Sequence, residues 1–184
     1  MKLASEKYDW LLKIEPLPKT ILEGLALLGT KEVIGKGSNK TILEWRDELN
    51  QAGVKISGYS DDDIPWCGLF AAIVCYRRRG IASEVVTDPL WARNWAKYGE
   101  SADKASLGDV LVFVRNGGGH VGFYIGEDSA AYHVLGGNQS NAVTITRVAK
   151  DRCIAKRRPK YLAKPACVKP YYLAASGTVS TNEK

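Results

Sequence analysis

The sequence predicts an α+β fold in which N-terminal helices pack on one face of a C-terminal antiparallel sheet of about five strands. Two observations carry this prediction. Apolar residues recur at helical spacing in the first half of the chain, and runs rich in Val, Ile, Phe and Tyr follow Leu107-Gly108. These runs are short and are separated by segments such as 116–119, which favours strands joined by tight turns.

The first two helices are predicted from their apolar spacing and their ends. Residues 20–28 form an apolar face that ends at Gly29, a residue suited to a helix C-terminus. The second helix follows the polar segment 38–41, and polar residues favour a helix start. Its apolar positions are Ile42, Leu43, Trp45 and Leu49.

A third helix is expected to open at 61–65, because acidic residues and proline both favour the first turn of a helix. It is expected to run to Arg79 and to stop at Gly80, and a short fourth helix is expected over 88–98. The expected strands cover 109–115, 120–126, 130–135, 142–148 and 153–158.

The domain organisation follows from these elements. A single domain is expected over 1–162, helical over 1–105 and a sheet over 106–162. Prolines and small polar residues dominate 163–184 and leave little to bury, so this segment is expected to be a flexible tail.

Composition excludes several classes of protein. Of 184 residues, 45% are hydrophobic and 25% charged, as in a globular protein and unlike a disordered or collagen-like chain. The apolar runs are of strand length, so no membrane span is expected. The segment that begins at Met1 lacks the pattern of a signal peptide, and synthesis in the cytoplasm is therefore expected.

The excess of positive charge lies in one segment. The net charge is +6, and residues 147–160 contain seven basic residues and one acidic residue, so the rest of the chain is neutral. A basic face would favour an anionic partner such as nucleic acid or cell-wall polymer. The segment is equally consistent with a solvated strand edge, and charge alone does not decide between the two.

The cysteines and histidines do not have the spacing of a structural zinc site. No C-x-x-C pair is present, and His120 and His133 lack finger spacing, so neither a metal nor an organic cofactor is expected. Cys67 differs from the other cysteines because it lies at the predicted start of a helix, where the helix dipole favours the thiolate. The acidic residues just before it oppose that effect, so a nearby imidazole is still needed.

His120 supplies that imidazole, because it follows a glycine run and opens a predicted strand. Asn138 lies where the next strand ends, and its amide oxygen is placed to accept a proton from one imidazole nitrogen. A helix-borne Cys followed by His and Asn on strands is the chain order of a papain-like cysteine hydrolase. His133, in the middle of a strand, is the competing base, although a structural role is commoner there.

Four sequence motifs resemble those of the CHAP and NlpC-type cysteine peptidases that cleave bacterial peptidoglycan, and the likeness is closest to a bacteriophage-associated branch. The resemblance covers about residues 10–160, and the motifs are Pro65-Trp66-Cys67, Gly108-Asp109-Val110, His120-Val121-Gly122 and Gly136-Gly137-Asn138-Gln139. It implies a papain-like fold with Cys67 as nucleophile, His120 as base and Asn138 as the orienting residue. Many CHAP members have Glu where this chain has Gly136, which leaves Asn138 or Gln139 as the partner of His120.

Further residues are assigned from the same motifs and their surroundings. Trp66, Gln139 and Trp91 are the candidate substrate-binding residues. Trp91 lies four residues before Trp95, a spacing more typical of core aromatics than of sugar-stacking ones. The acids 61–63 are interpreted as a helix cap, with a calcium loop, as found in some CHAP domains, as the alternative.

The predicted function is a monomeric peptidoglycan hydrolase of the endolysin type, either an endopeptidase or an N-acetylmuramoyl-L-alanine amidase, that is bacteriolytic at the cell wall. It is expected to act in the periplasm or murein layer and to need no cofactor. The alternatives are a secreted antibacterial amidase effector and a non-catalytic basic protein that binds wall polymer or nucleic acid. No aromatic recognition motif interleaves the basic residues, which disfavours nucleic acid as a partner.

Overall fold

The computed structural model describes residues 6–175 and 177–180, and this part of the chain forms an α+β fold around one six-stranded antiparallel sheet. The strand order is β1-β6-β2-β3-β4-β5. The α-helices are α1 (Lys19–Ala26), α2 (Lys40–Gln51) and α3 (Cys67–Arg77). The strands are β1 (Glu100–Ser101), β2 (Val110–Arg115), β3 (Gly118–Glu127), β4 (Ala131–Gly136), β5 (Thr144–Ala149) and β6 (Cys153–Arg158). Short 3-10 helices occupy Glu6–Lys13, Ala82–Glu84, Ala92–Lys97 and Lys150–Arg152.

The predicted succession of helices and then strands is confirmed, with local differences. All five expected strands are present, and β1 is an additional strand of two polar residues that no hydrophobic alternation indicates. The helix expected over 88–98 is instead a 3-10 helix at Ala92–Lys97. None of the described helices is long and apolar enough to cross a membrane.

The start of α3 differs from the prediction. The helix begins at Cys67, and the acids before it lie in a separate turn. Asp62 is buried, and its Oδ2 accepts backbone N–H groups from Val33 (2.9 Å) and Asn39 (2.7 Å). The acidic run therefore secures the loop before α2 rather than capping α3. The helix ends at Arg77, two residues before the predicted end, and residues 78–80 form the turn that closes it. Gly80, the predicted stop, has a φ of +70° and its N–H donates to the Tyr76 carbonyl.

Helix α3 is buried along nearly its whole length, because its sequence CGLFAAIVCYR is apolar on every side. It contacts α1 and α2 on one side and strands β3 and β4 on the other. Its first turn is also crossed closely by the chain, since a Cβ on Gly68 would lie 2.1 Å from the Pro89 carbonyl oxygen. The start of α3, which carries Cys67, is therefore held in a fixed position against the sheet.

The basic segment is not a free surface. Its strand β6 lies inside the sheet between β1 and β2, and six of the seven basic side chains of residues 147–160 make intramolecular contacts. Arg158 pairs with the buried Asp109 at 2.8 Å, and Arg157 donates to the Tyr98 carbonyl at 2.6 Å. The other four residues are Arg147 (to Asp128), Lys150 (to Glu127), Arg152 (to the Val114 carbonyl) and Lys156 (to the Asp103 carbonyl). These charges stabilise the C-terminal half of the fold.

The segment after 162 buries more than the sequence indicates. Val168 is buried, and Tyr171 stacks on Trp10 with ring centroids 4.8 Å apart. The Leu173 N–H donates to the Glu127 carbonyl, so this segment extends the hydrogen bonding of β3. The expectation that it has little to bury is wrong here, because its aromatic and aliphatic residues cover the end of β3. The predicted tail residues 176 and 181–184, and Met1–Ser5 of the predicted leaderless start, lie outside the described residues.

We expect the Asp109–Arg158 pair to be a main stabilising contact of the sheet. Changing Arg158→Met leaves the Asp109 carboxylate buried without its cation, at a cost of about 3–5 kcal/mol in the free energy of unfolding. Adding Asp109→Asn should recover part of that loss, because the uncompensated charge is then removed. Denaturant titration of the single and double variants measures the coupling. Lys156→Met is the control, because it removes only an exposed contact; equal destabilisation by both single variants would contradict this role of the pair.

Candidate active site

Cys67 lies at the base of a groove of about 360 Å³, which we call the Cys67 groove. Its walls are formed by Ile64–Pro65, by residues 90–92, and by Arg115 with the glycines 117–119. Cys67 as a whole is 5% exposed and lines this groove. Two other cavities, of about 260 and 350 Å³, are lined by neither a cysteine nor a histidine.

His120 lies next to the start of α3. It is on β3, opposite Phe113 of β2, and the two rings stack with centroids 6.3 Å apart. The backbone N–H of the following residue, Val121, is close enough to the Cys67 thiol to act on its pKa. Packing of Phe70 against Phe123, at 6.0 Å between ring centroids, holds α3 on β3 at this point. The structure therefore brings the predicted nucleophile and the predicted base to the same place.

Gln139, and not Asn138, is the amide partner of His120. The His120 Nε2 lies 3.1 Å from the Gln139 Oε1, and both side chains are buried. The Gln139 Nε2 donates to the carbonyl oxygens of Thr144 (2.7 Å) and Val134 (3.2 Å). These contacts fix which end of the amide faces the ring, since the NH₂ group points at carbonyls and the oxygen points at His120.

This orientation determines the tautomer of His120. The Gln139 oxygen only accepts hydrogen bonds, so the neutral ring carries its proton on Nε2. The lone pair of the ring is then on Nδ1, which is the nitrogen able to receive a proton. The backbone carbonyls that hold Gln139 thus leave the Nδ1 of His120 able to accept a proton.

Asn138 does not occupy the position predicted for the third residue. Its φ is +55°, in the left-handed region, so the chain turns there and directs the next side chain, Gln139, at the ring. The Asn138 Oδ1 is buried and has no hydrogen-bond partner among the described residues. The expectation that Asn138 orients His120 is therefore corrected in favour of Gln139, the alternative that the sequence left open.

Gly136 explains why Gln139 fits. A Cβ at Gly136 would lie 2.9 Å from the Gln139 Cδ and 3.1 Å from the His120 Nε2. Any side chain at this position would displace the contact between the amide and the imidazole. The contact between Gln139 and His120 therefore depends on the glycine at position 136, where many CHAP members have Glu.

The two tryptophan candidates have different surroundings. Trp66 is fully buried, packs 6.1 Å from Trp45 and donates its Nε1–H to Glu32, so its assignment to substrate binding is wrong. Its apolar ring belongs to the core under α3. Trp91 is 72% exposed and lines the Cys67 groove, whereas Trp95 is buried. Gln139 contacts His120 and is buried, so it lies behind the base rather than in the groove.

Burial raises the pKa of the Cys67 thiol. The backbone N–H groups of Val121, Gly68 and Cys67 itself, together with the charge of Arg115, act in the opposite direction. Burial is the larger effect, so the resting thiol is neutral, in contrast to the thiolate expected from its place on α3. A neutral thiol must give up its proton as it attacks a carbonyl carbon. A nitrogen with a free lone pair can accept that proton.

His133 belongs to a second buried cluster. Its Nδ1 lies 2.7 Å from the Tyr8 hydroxyl and its Nε2 lies 3.0 Å from Asp128, which also accepts from Arg147. Burial lowers the pKa of His133. The cluster contains no thiol and joins the N-terminal 3-10 helix to β4 and β5. His133 therefore has a structural role, which is the commoner role of a histidine in the middle of a strand.

One group of described residues brings acidic ligand atoms together. One oxygen each from Asp61, Asp62 and Asp63 lies within 4.8 Å of the others. Asp62 already bonds two backbone N–H groups, and Asp61 accepts the N–H of Asp63. We assign no metal to this turn, because clustered surface acids commonly occur without one.

Arg115 and residues 117–119 are the part of the site that sequence reasoning missed. The glycine run predicts a turn, and its lack of side chains also leaves room for a groove beside it. Arg115 has no motif of its own, and only the hairpin between β2 and β3 brings it to the groove.

Comparison with models of protein families, with curated proteins and with solved structures finds no match to this chain. The resemblance to CHAP and NlpC-type peptidases therefore remains a prediction based on the motifs and on the site described above.

We expect Gln139→Leu to produce a mixture of His120 tautomers, because the oxygen that accepts the hydrogen bond from the Nε2–H group is gone. Long-range ¹⁵N NMR of the histidine rings reads the tautomer directly. Asn138→Gly is the matched control, since it removes the neighbouring amide and keeps a residue suited to φ +55°. If Gln139→Leu does not fold, Gly136→Ala disturbs the same contact. A tautomer change in Asn138→Gly with none in the Gln139 or Gly136 variant would return the role to Asn138.

The raised pKa of Cys67 predicts a late alkylation profile. The thiolate is the reactive form, so the reaction of Cys67 with iodoacetamide should rise at a pH above about 8.5, the value of an unperturbed thiol. Arg115→Gln should move the rise to still higher pH, because a positive charge that favours the thiolate is lost. Peptide mass spectrometry separates Cys67 from the other cysteines. A wild-type rise centred below pH 7 would indicate a standing thiolate instead.

Proposed function

We propose that this protein is a papain-like cysteine hydrolase that cleaves amide bonds in the peptide part of bacterial peptidoglycan. The observation that carries the proposal is that Cys67, which lines a groove, lies beside the strand segment His120–Val121, and that Gln139 determines the tautomer of His120. A nucleophile, a base and a group that orients the base are the parts that acyl transfer requires. The choice of peptidoglycan rests on the resemblance of the four motifs.

The reaction begins with proton transfer. The Nδ1 of His120 takes the proton of the Cys67 thiol while the sulfur attacks the carbonyl carbon of the scissile amide. The carbonyl oxygen becomes an oxyanion, and backbone N–H groups at the start of α3 are placed to stabilise it. The tetrahedral intermediate collapses as the imidazolium gives its proton to the leaving amine, and a thioester remains on Cys67.

Water completes the cycle. His120, neutral again, removes a proton from a water molecule that attacks the thioester carbonyl, and the second intermediate releases the carboxylic acid. The sulfur leaves as a thiolate and recovers its proton from the imidazolium. The net reaction consumes one water and yields one amine and one carboxylate, and the chain's own residues perform each step.

The non-catalytic alternative is less favoured by the structure. A binding protein for wall polymer or nucleic acid would need the basic segment to be available, but six of its seven side chains bond within the protein. The site of action follows from the substrate and is the cell wall, in the periplasm or murein layer. A phage endolysin and a secreted antibacterial effector both fit this reaction.

The test is hydrolysis of purified sacculi, followed by mass spectrometry of the released muropeptides. Cys67→Ser should lower the rate by several orders of magnitude, because a hydroxyl is a far weaker nucleophile in this site. Cys75→Ser is the matched control, since Cys75 is buried on the same helix, has a pKa raised to about 12 by burial, and does not line the groove. The new end groups also distinguish an amidase from an endopeptidase.

Loss of activity in both cysteine variants, with unchanged thermal unfolding, would contradict the role of Cys67. Intact sacculi after prolonged incubation with the wild-type protein would overturn the proposed function as a whole.

A further inference from the structure

Arg115 brings a positive charge to the Cys67 groove. It ends β2, and the hairpin into β3 places it on the wall formed with the glycines 117–119. Its guanidinium is near enough to the sulfur to favour the thiolate of Cys67. The other lining residues besides Cys67 are apolar residues or glycines, so Arg115 supplies the only full charge among the residues that line this groove.

The position of Arg115 is supported by its neighbours. The Arg115 side chain packs beside Gly118, since a Cβ on this glycine would be in van der Waals contact with the Arg115 Nε at 3.5 Å. Arg93 donates to the Gly118 carbonyl at 2.8 Å and thereby ties the hairpin to the 3-10 helix at Ala92–Lys97. The exposed ring of Trp91 also lines the groove. A substrate chain in the groove would thus meet an aromatic surface and a guanidinium.

The geometry points to Arg115 as a specificity-determining residue that binds a free carboxylate of the substrate beside the scissile bond. This inference rests on the proposed function and names the class of substrate: peptides that carry an unamidated carboxylate on a residue next to the cleaved amide. A planar guanidinium binds a carboxylate through two parallel hydrogen bonds, and it does so more strongly in a groove with apolar walls. A carboxamide at the same place carries no charge, and its NH₂ group cannot accept the second of these two hydrogen bonds.

The experiment uses one preparation of sacculi in two forms, untreated and with its free carboxylates converted to carboxamides by carbodiimide and ammonia. Release of soluble fragments is measured for the wild-type protein and for Arg115→Gln. We expect the wild type to act at least about tenfold more slowly on the amidated form, and Arg115→Gln to reduce that ratio to about twofold. The loss of thiolate stabilisation in Arg115→Gln slows both forms equally and does not change the ratio.

Arg46→Gln is the control for overall charge, because Arg46 is an arginine on α2 that pairs with Asp47 and does not line the groove. It should keep the wild-type ratio. Equal wild-type rates on the two forms, or an unchanged ratio in Arg115→Gln, would overturn this inference and leave the hydrolase function standing. Release from neither form would overturn the proposed function and this inference with it.

Discussion

The burial of α3 is the constraint on which the rest of the structure depends. A helix that is apolar on every side has to be covered on every side, and here two helices, the sheet and the segment around Pro89 do so. Because Cys67 is its first residue, covering the helix also places the thiol at the base of a groove and raises its pKa. The same packing therefore positions the thiol, which is the nucleophile of the proposed reaction, and makes that reaction dependent on a base.

The imidazole of His120, the base of the proposed reaction, is oriented through backbone hydrogen bonds to Gln139 rather than by a charged neighbour. Gln139 is held by the carbonyls of Thr144 and Val134, and its oxygen is thereby turned to His120. A neutral amide in this position sets the tautomer of His120 without adding a buried negative charge. Removing such a charge from water would be costly. The arrangement requires Gly136, and it makes the turn between β4 and β5 part of the site.

The charges of the basic segment serve mainly to hold the sheet together. The basic residues of β6 reach carbonyls and carboxylates of neighbouring segments, and Arg158 neutralises the buried Asp109. A strongly basic stretch in a sequence is therefore weak evidence for an anionic partner when that stretch is an inner strand. Arg115 differs, because it lines the groove that contains Cys67.

The sequence by itself determined the order of elements and the five main strands, because hydrophobic periodicity and local turn residues encode these features directly. It also singled out Cys67 and His120 through their motifs. Only the tertiary structure decided that Gln139 rather than Asn138 contacts the ring, that Trp66 is core, and that Arg115 reaches the groove. Each of these depends on where a side chain points after a turn, which is set by a single φ angle such as that of Asn138 and by the space beside Gly136. Spacing along a chain has no information about such directions, since they arise from contacts between residues that are distant in sequence.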